Sequence, residues 1–280
     1  MAGLRISIVE YLNTAPLVWG FTNGPLRGKY ELSFTVPSQC AEALRSGDAD
    51  VALIPAIEYQ RIDDVIALPG MAIAAKNEVR SILVVAKCPV ERASRVALDT
   101  SSRSSVALVR LLCRHRWRIE PEFLDAKPDV TAMLDDADAA LVIGDPALRV
   151  ALELQRTLPD YPVVYLYDVA YEWREMTGKP CVLALWVARR TAVTPELVAD
   201  FLASKEYGMS RIDEIADAAA KKLELPAAEL AAYLRENVDF SLDAENQAGL
   251  ALYYDLCAEA GLIPKAKPLE LASMPAHAAG

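Results

Sequence analysis

Residues 5–17, RISIVEYLNTAPL, decide how this chain is built. Arg5 to Tyr11 is an apolar-rich run of strand length, and it predicts a first strand. Asn13, Thr14 and Pro16 follow at once, a capping-type residue with a proline in the first turn, which is a helix-start signal. A strand that turns directly into a helix is half of a crossover unit, and the chain repeats it. Leu32 to Pro37 predicts a second strand, Ser38 the cap of a helix through Arg45, and Ala49 to Ile54 a short buried strand. Pro55 and a further helical turn through Tyr59 come next. After Ser81 the pattern returns: strands over Ile82 to Ala86 and Val96 to Leu98, then an apolar-periodic helix from Ser104 to His115. Pro121 to Leu124, Asp129 to Leu134 and Ala139 to Ile143 continue the alternation. Val163 to Leu166 and Cys181 to Ala188 are two more apolar segments, the second long enough to cross from one lobe to another. Strands alternating with helices imply parallel sheets.

After Pro195 the pattern is helical only, with Pro226 separating two helices and Gly261 with Pro264 ending the last. The expected fold is therefore α/β, in two lobes joined by extended crossings. Residues 1–86 and 187–280 form lobe 1 and residues 87–186 form lobe 2. An interdomain cleft separates them, and a helical C-terminal tail returns to the first lobe. This is the arrangement of a type II periplasmic-binding-protein-like fold. No repeat of 20 to 50 residues is present, which argues against a solenoid.

The chain has 280 residues, enough for two lobes that each bury a core. Its formal charge of −10 opposes binding to a phosphate polymer. The cluster Arg110, Arg114, His115, Arg116 and Arg118 has the helical spacing of a solvated face, so no nucleic-acid partner is expected. The start, Met-Ala-Gly-Leu-Arg, carries no basic leader or cleavage site, and no run of eighteen apolar residues occurs. A cytoplasmic protein without a membrane partner is the expectation. Cys40, Cys88, Cys113, Cys181 and Cys257 are scattered and odd in number, as reduced, buried thiols would be.

Only two histidines occur, His115 in the basic helix and His277 in a small-residue tail. That excludes a Ser-His-Asp hydrolase and argues against a metal site, and no phosphate-loop or dinucleotide fingerprint is present. No cofactor is expected. What the chain does offer is Asp99-Thr100-Ser101-Ser102-Arg103-Ser104-Ser105, between a short strand and an amphipathic helix. Five hydroxyls beside the free amides of a helix N-terminus, with Arg103 adding charge, suit a carboxylate or phosphate better than one cap requires. Asn13 and Thr14 occupy the equivalent turn of the first lobe, where Asn13 either caps its own helix or offers donors to the cleft. Gly144, Asp145 and Pro146 form a third such turn, with Asp145 most simply its N-cap. Glu58 either pairs an arginine or serves the site. Trp173 and Trp186 read as core more than as a ring pocket, and the positions from Leu230 to Tyr254 read as core.

Several blocks together resemble a known family. Tyr11-Leu12-Asn13-Thr14-Ala15-Pro16-Leu17, Val51-Ala52-Leu53-Ile54-Pro55 with Glu58-Tyr59-Gln60, and Leu98 to Ser105 are similar to blocks of the chorismate dehydratases. So are Ala140 to Ala147 and Glu172-Trp173 followed by Ala184-Leu185-Trp186, in order along nearly the whole chain. The resemblance implies an enzyme of the futalosine route to menaquinone, a hydro-lyase that takes water from chorismate to give 3-[(1-carboxyvinyl)oxy]benzoate. It implies that the substrate's own enolpyruvyl carboxylate takes the ring proton while the enzyme orients it and stabilises charge. It assigns Asn13 and Ser81 to the reacting ring. It assigns Thr14, Pro55, Thr100, Ser101, Ser102, Ser104, Ser105, Gly144 and Asp145 to substrate binding. One departure is Ala56, where the family is expected to carry a serine after the proline.

Three other readings stand beside this one. A sister family makes 1,4-dihydroxy-6-naphthoate on the same fold, but with a functional histidine for which this chain has no counterpart. A non-catalytic solute-binding protein for small anions would carry an export signal. The effector lobes of a transcription regulator would need a helix-turn-helix ahead of residue 5.

Overall fold

The computed structural model of the chain describes residues 3–154 and 164–275. Strand β1 (Arg5–Val9) is buried on both faces, which is why it reads as an apolar run. It pairs in parallel with β2 (Glu31–Thr35) and β3 (Val51–Pro55). Helix α1 (Ala15–Thr22) and helix α2 (Pro37–Ser46) make the connections. The residues Leu12–Thr14 form a 3₁₀ turn before α1, and Ala56–Arg61 form another after β3.

Two further strands complete the first sheet. β4 (Val65–Ala75) lies at its edge and β10 (Cys181–Arg189) lies between β3 and β4, antiparallel to both, giving the order β2-β1-β3-β10-β4. The sequence reading did not anticipate β4, because Pro69-Gly70 in its middle is a turn signal. At a sheet edge proline removes no ladder bond, and Gly70, at φ +75°, lies within the irregular pairing with β10.

The second sheet repeats this topology. β6 (Arg95–Asp99) lies between β7 (Glu122–Ala126) and β8 (Ala139–Ile143) and is parallel to both. β5 (Ile82–Ala86) is antiparallel to β8 and to the edge strand β9 (Tyr165–Asp168). Helices α3 (Arg103–Leu112), α4 (Val130–Asp136), α5 (Gly144–Leu152) and α6 (Val169–Thr177) belong with it. Sheet membership puts the crossings at residues 76–81 and 178–180. The expected boundaries at 86/87 and 186/187 therefore move, since β5 joins the second sheet and all of β10 joins the first. Of the expected apolar segment at Val163 to Leu166, residue 163 lies outside the described residues.

Helices α7 (Pro195–Met209), α8 (Ile212–Leu223), α9 (Ala227–Ala232) and α10 (Ala244–Glu259) form the C-terminal tail. Helix α7 packs on α1 closely enough that a Cβ at Gly208 would fall 2.0 Å from the Pro16 carbonyl oxygen. Helix α10 spans both lobes: Tyr254 donates to the Ala56 carbonyl at 2.7 Å and Tyr253 to the Ser104 carbonyl at 3.2 Å. Trp173 and Trp186 are fully buried, Trp173 donating to the Pro180 carbonyl at 3.1 Å and Trp186 edge-on to Phe201. All five cysteines are free thiols, and only Cys88 is not buried. No helix among the described residues is long and apolar enough to cross a membrane.

Candidate active site

Each lobe turns from strand into helix at the same level, and the turns face each other. Asn13 and Thr14 come from the β1–α1 turn, Pro37 from the start of α2 and Pro55 from the end of β3. Ser102 comes from the β6–α3 turn, Gly144 from the β8–α5 turn and Ser81 from the first crossing. These residues line one cavity between the two sheets, closed by apolar side chains such as Leu53, Ile73 and Leu183. With the lobes in this position its free volume is about 50 Å³, well below the usual size of a small-molecule site, so admitting a ligand requires the lobes to part. No charged side chain is among its lining residues. The positive dipole ends of α1, α2, α3 and α5 supply the electrostatics instead, several of their first-turn amides being already paired within the protein, as Ser38 N–H is to the Ser101 carbonyl and Gly144 N–H to the Ser81 carbonyl.

The lobes are closed over this cavity by direct hydrogen bonds. Leu12 N–H donates to Asp145 Oδ1 at 2.9 Å, Ile57 N–H to Ser104 Oγ at 3.1 Å, and Ser38 N–H to the Ser101 carbonyl at 2.9 Å. Gly144, at φ +65°, has its Cα against the ring of Tyr11 from the other lobe; a Cβ there would meet three ring carbons at 2.7 Å. Burial pushes the Tyr11 phenol up to about 12, with the nearby Asp99 and Asp145 adding to the effect, so it stays protonated. On the outer side of Tyr11 and Thr14 lies a second, mainly apolar groove between α1 and α8, lined by Trp19, Phe34 and Ile215 among others. It contains neither Asn13, Ser81 nor Ser102, so the inner cavity is the candidate site.

The structure sorts the serine run. Ser102 lines the cavity and also caps α3, accepting from the Ser105 amide. Ser104 and Ser105 are fully buried in packing: the Ser104 hydroxyl serves Ile57, and the Ser105 hydroxyl lies 2.9 Å from that of Ser102. Ser101 donates its amide to Asp99 Oδ1 at 2.9 Å, and its hydroxyl is buried beside Tyr11. Thr100 is exposed and faces outward, onto a surface pocket with Arg61, Arg103 and Arg110. Alternate residues of a tight turn and helix start point in different directions, so one run cannot turn all its hydroxyls to one ligand.

The structure also decides the remaining candidates. Arg103 adds no charge to the cavity: its guanidinium reaches across to Glu58 Oε2 at 3.0 Å and Glu42 Oε1 at 2.6 Å. Glu58 is structural, a fully buried carboxylate holding Arg45, Arg61 and Arg103. Asp145 does not cap α5, whose N-cap is Ile143, but ties the two lobes together through Leu12. Burial raises its pKa. Nor does Ser38 cap α2, which begins one residue earlier at Pro37 with Val36 in the cap position. Ala56 is fully buried and outside the cavity lining, so no hydroxyl stands at that point. His115 lies in a π-turn (Cys113–Trp117) beyond α3, and His277 lies outside the described residues. The basic cluster there is a solvated face, with Arg116 paired to Glu172 at 3.0 Å.

Sequence reasoning missed Tyr233, which it assigned to core. It is indeed buried, but its hydroxyl donates to Ser81 Oγ at 2.8 Å, a long-range contact that no local pattern encodes.

Comparison with known proteins bears on this site. The chorismate dehydratase of Thermus thermophilus is 28% identical over 258 residues, covering 89% of this chain and 93% of that protein. A protein of Archaeoglobus fulgidus superposes with a TM-score of 0.71 at 19% identity, over 93% of this chain and 98% of that one. The periplasmic aliphatic sulphonate binding protein of Escherichia coli superposes with a TM-score of 0.62 at 18% identity, over 98% and 94%. The two structures share the fold, which is the two-lobed periplasmic-binding-protein arrangement expected from the sequence. The family model described as menaquinone biosynthesis matches residues 4–259 and takes in every block on which the resemblance rests. By that match, the chain belongs to the menaquinone biosynthesis family.

Proposed function

We propose that this protein is a chorismate dehydratase, a cytoplasmic hydro-lyase that converts chorismate to 3-[(1-carboxyvinyl)oxy]benzoate in menaquinone biosynthesis. The observation that carries this reading is an uncharged cavity at which several helix N-termini and the side chains of Asn13, Ser81 and Ser102 converge. A dicarboxylate suits such a lining once the lobes part, because helix dipoles and polar side chains stabilise anions without a counter-charge that would have to be desolvated. The family match supports the same pathway, and the Thermus thermophilus relative the same substrate.

In this reading Ser102 and the start of α3 hold one carboxylate, and the Asn13–Thr14 turn and Gly144 border the ring. The lining residues include no carboxylate or imidazole to act as base. The substrate's enolpyruvyl carboxylate therefore takes the C3 proton and passes it to the C4 hydroxyl, the C4–O bond breaks, the hydroxyl departs with that proton as water, and the ring becomes benzenoid. The protein contributes orientation and donors aimed at the departing oxygen, with Ser81 and Asn13 nearest to it.

The test is to incubate the purified protein with chorismate alone and follow formation of the aromatic product. Turnover without added metal or nucleotide is expected, and Asn13→Ala is expected to lower it with little loss of stability. Chorismate that binds and persists unchanged would identify a solute-binding protein and overturn the assignment.

A further inference from the structure

Helix α9 does not end normally: it opens into a π-turn over Tyr233–Asn237. Such turns recur at functional sites because they re-aim one side chain. Here the side chain is Tyr233, 1% exposed. Its hydroxyl donates to Ser81 Oγ at 2.8 Å. The bonds then run in one direction, from Tyr233 O–H to Ser81 Oγ and from Ser81 O–H into the cavity that Ser81 lines. Burial holds the phenol far above its usual range, so the sequence of donors is not reversed by ionisation.

We infer that Tyr233 is a positioning residue: by occupying the Ser81 acceptor site it points the Ser81 proton at the oxygen leaving the ring. The inference rests on the proposed dehydration and requires no proton to pass through the phenol. A free serine hydroxyl rotates, and a misaligned donor is a weak one, so the effect belongs to the transition state more than to substrate binding.

The experiment compares the wild-type chain with Tyr233→Phe, Ser81→Ala and the double variant, reading kcat and KM for chorismate together with the melting temperature. Tyr233→Phe removes a single atom and keeps the ring in its packing. It should lower kcat about tenfold, the scale of one net hydrogen bond, with KM within about twofold. In the Ser81→Ala background the same change should have no further effect on kcat, because its only route to the substrate is gone. An unchanged kcat in Tyr233→Phe, or equal losses in both backgrounds, would overturn the inference while leaving the dehydratase reading intact. A wild-type chain that does not consume chorismate would instead overturn that reading, and the inference with it.

Discussion

Gly144→Ala separates the two consequences of one close contact. The residue sits at φ +65°, a conformation that costs an L-residue about 1 to 2 kcal/mol. That strain is internal to the second lobe and is present whether the cleft is open or closed. The second consequence crosses the cleft: the new Cβ meets the Tyr11 ring at 2.7 Å, against 3.4 Å or more in ordinary contact. Relief requires the lobes or the ring to withdraw by about 0.7 Å, the difference between those distances. Overpacking of this kind costs about 1 to 3 kcal/mol. The strain should lower the melting temperature by roughly 2 to 8 °C. The overlap should lower kcat/KM for chorismate by about 5- to 150-fold, because it opposes only the closed state. Thermal unfolding and steady-state formation of the aromatic product read the two effects independently. A variant that loses thermal stability yet keeps full kcat/KM would show that Tyr11 and Gly144 are not in contact when water is eliminated, and would refute closure as described here.

Ser102→Ala should weaken chorismate affinity, by about 1 to 3 kcal/mol for a charged hydrogen bond, whereas Thr100→Ala, facing outward, should leave it within about twofold; calorimetric titration of both variants decides between them. Glu58→Gln removes the charge shared by Arg45, Arg61 and Arg103 and should cost about 2 to 4 kcal/mol in chemical denaturation, less than a fully buried pair because each arginine is about one-third exposed; unaltered stability would mean the cluster contributes nothing net. The pKa values of Asp99 and Asp145 are both raised, in each case mainly by burial. A raised carboxyl favours its neutral form on folding, so the stability it contributes is fully present below the ordinary carboxylate range and is lost as pH rises through its folded value. Asp145→Asn, which keeps an acceptor for Leu12, should therefore flatten the stability–pH curve just above that range; a curve that superposes on the wild type would contradict the burial of this group.

Residues 5–17 and their repeats along the chain were sufficient to give two α/β lobes, because fully buried parallel strands read as apolar runs and helix starts carry their own signals. The same local logic located the Asn13, Ser102 and Gly144 turns that line the cavity, since a strand-to-helix turn is a property of neighbouring residues. Long-range pairing was not accessible to it. Strand β4 was hidden by Pro69-Gly70, which local rules read as a turn and which only an edge position tolerates. The return strand β10 looked like a crossing because nothing in its apolar run states which sheet accepts it. Which serine faces the ligand space, that Asp145 and Arg103 hold the lobes together across the cleft, and that Tyr233 reaches Ser81 from 152 positions away were all decided by tertiary structure. A side chain's chemistry is fixed by its own residue, but its partner is fixed only when distant segments meet.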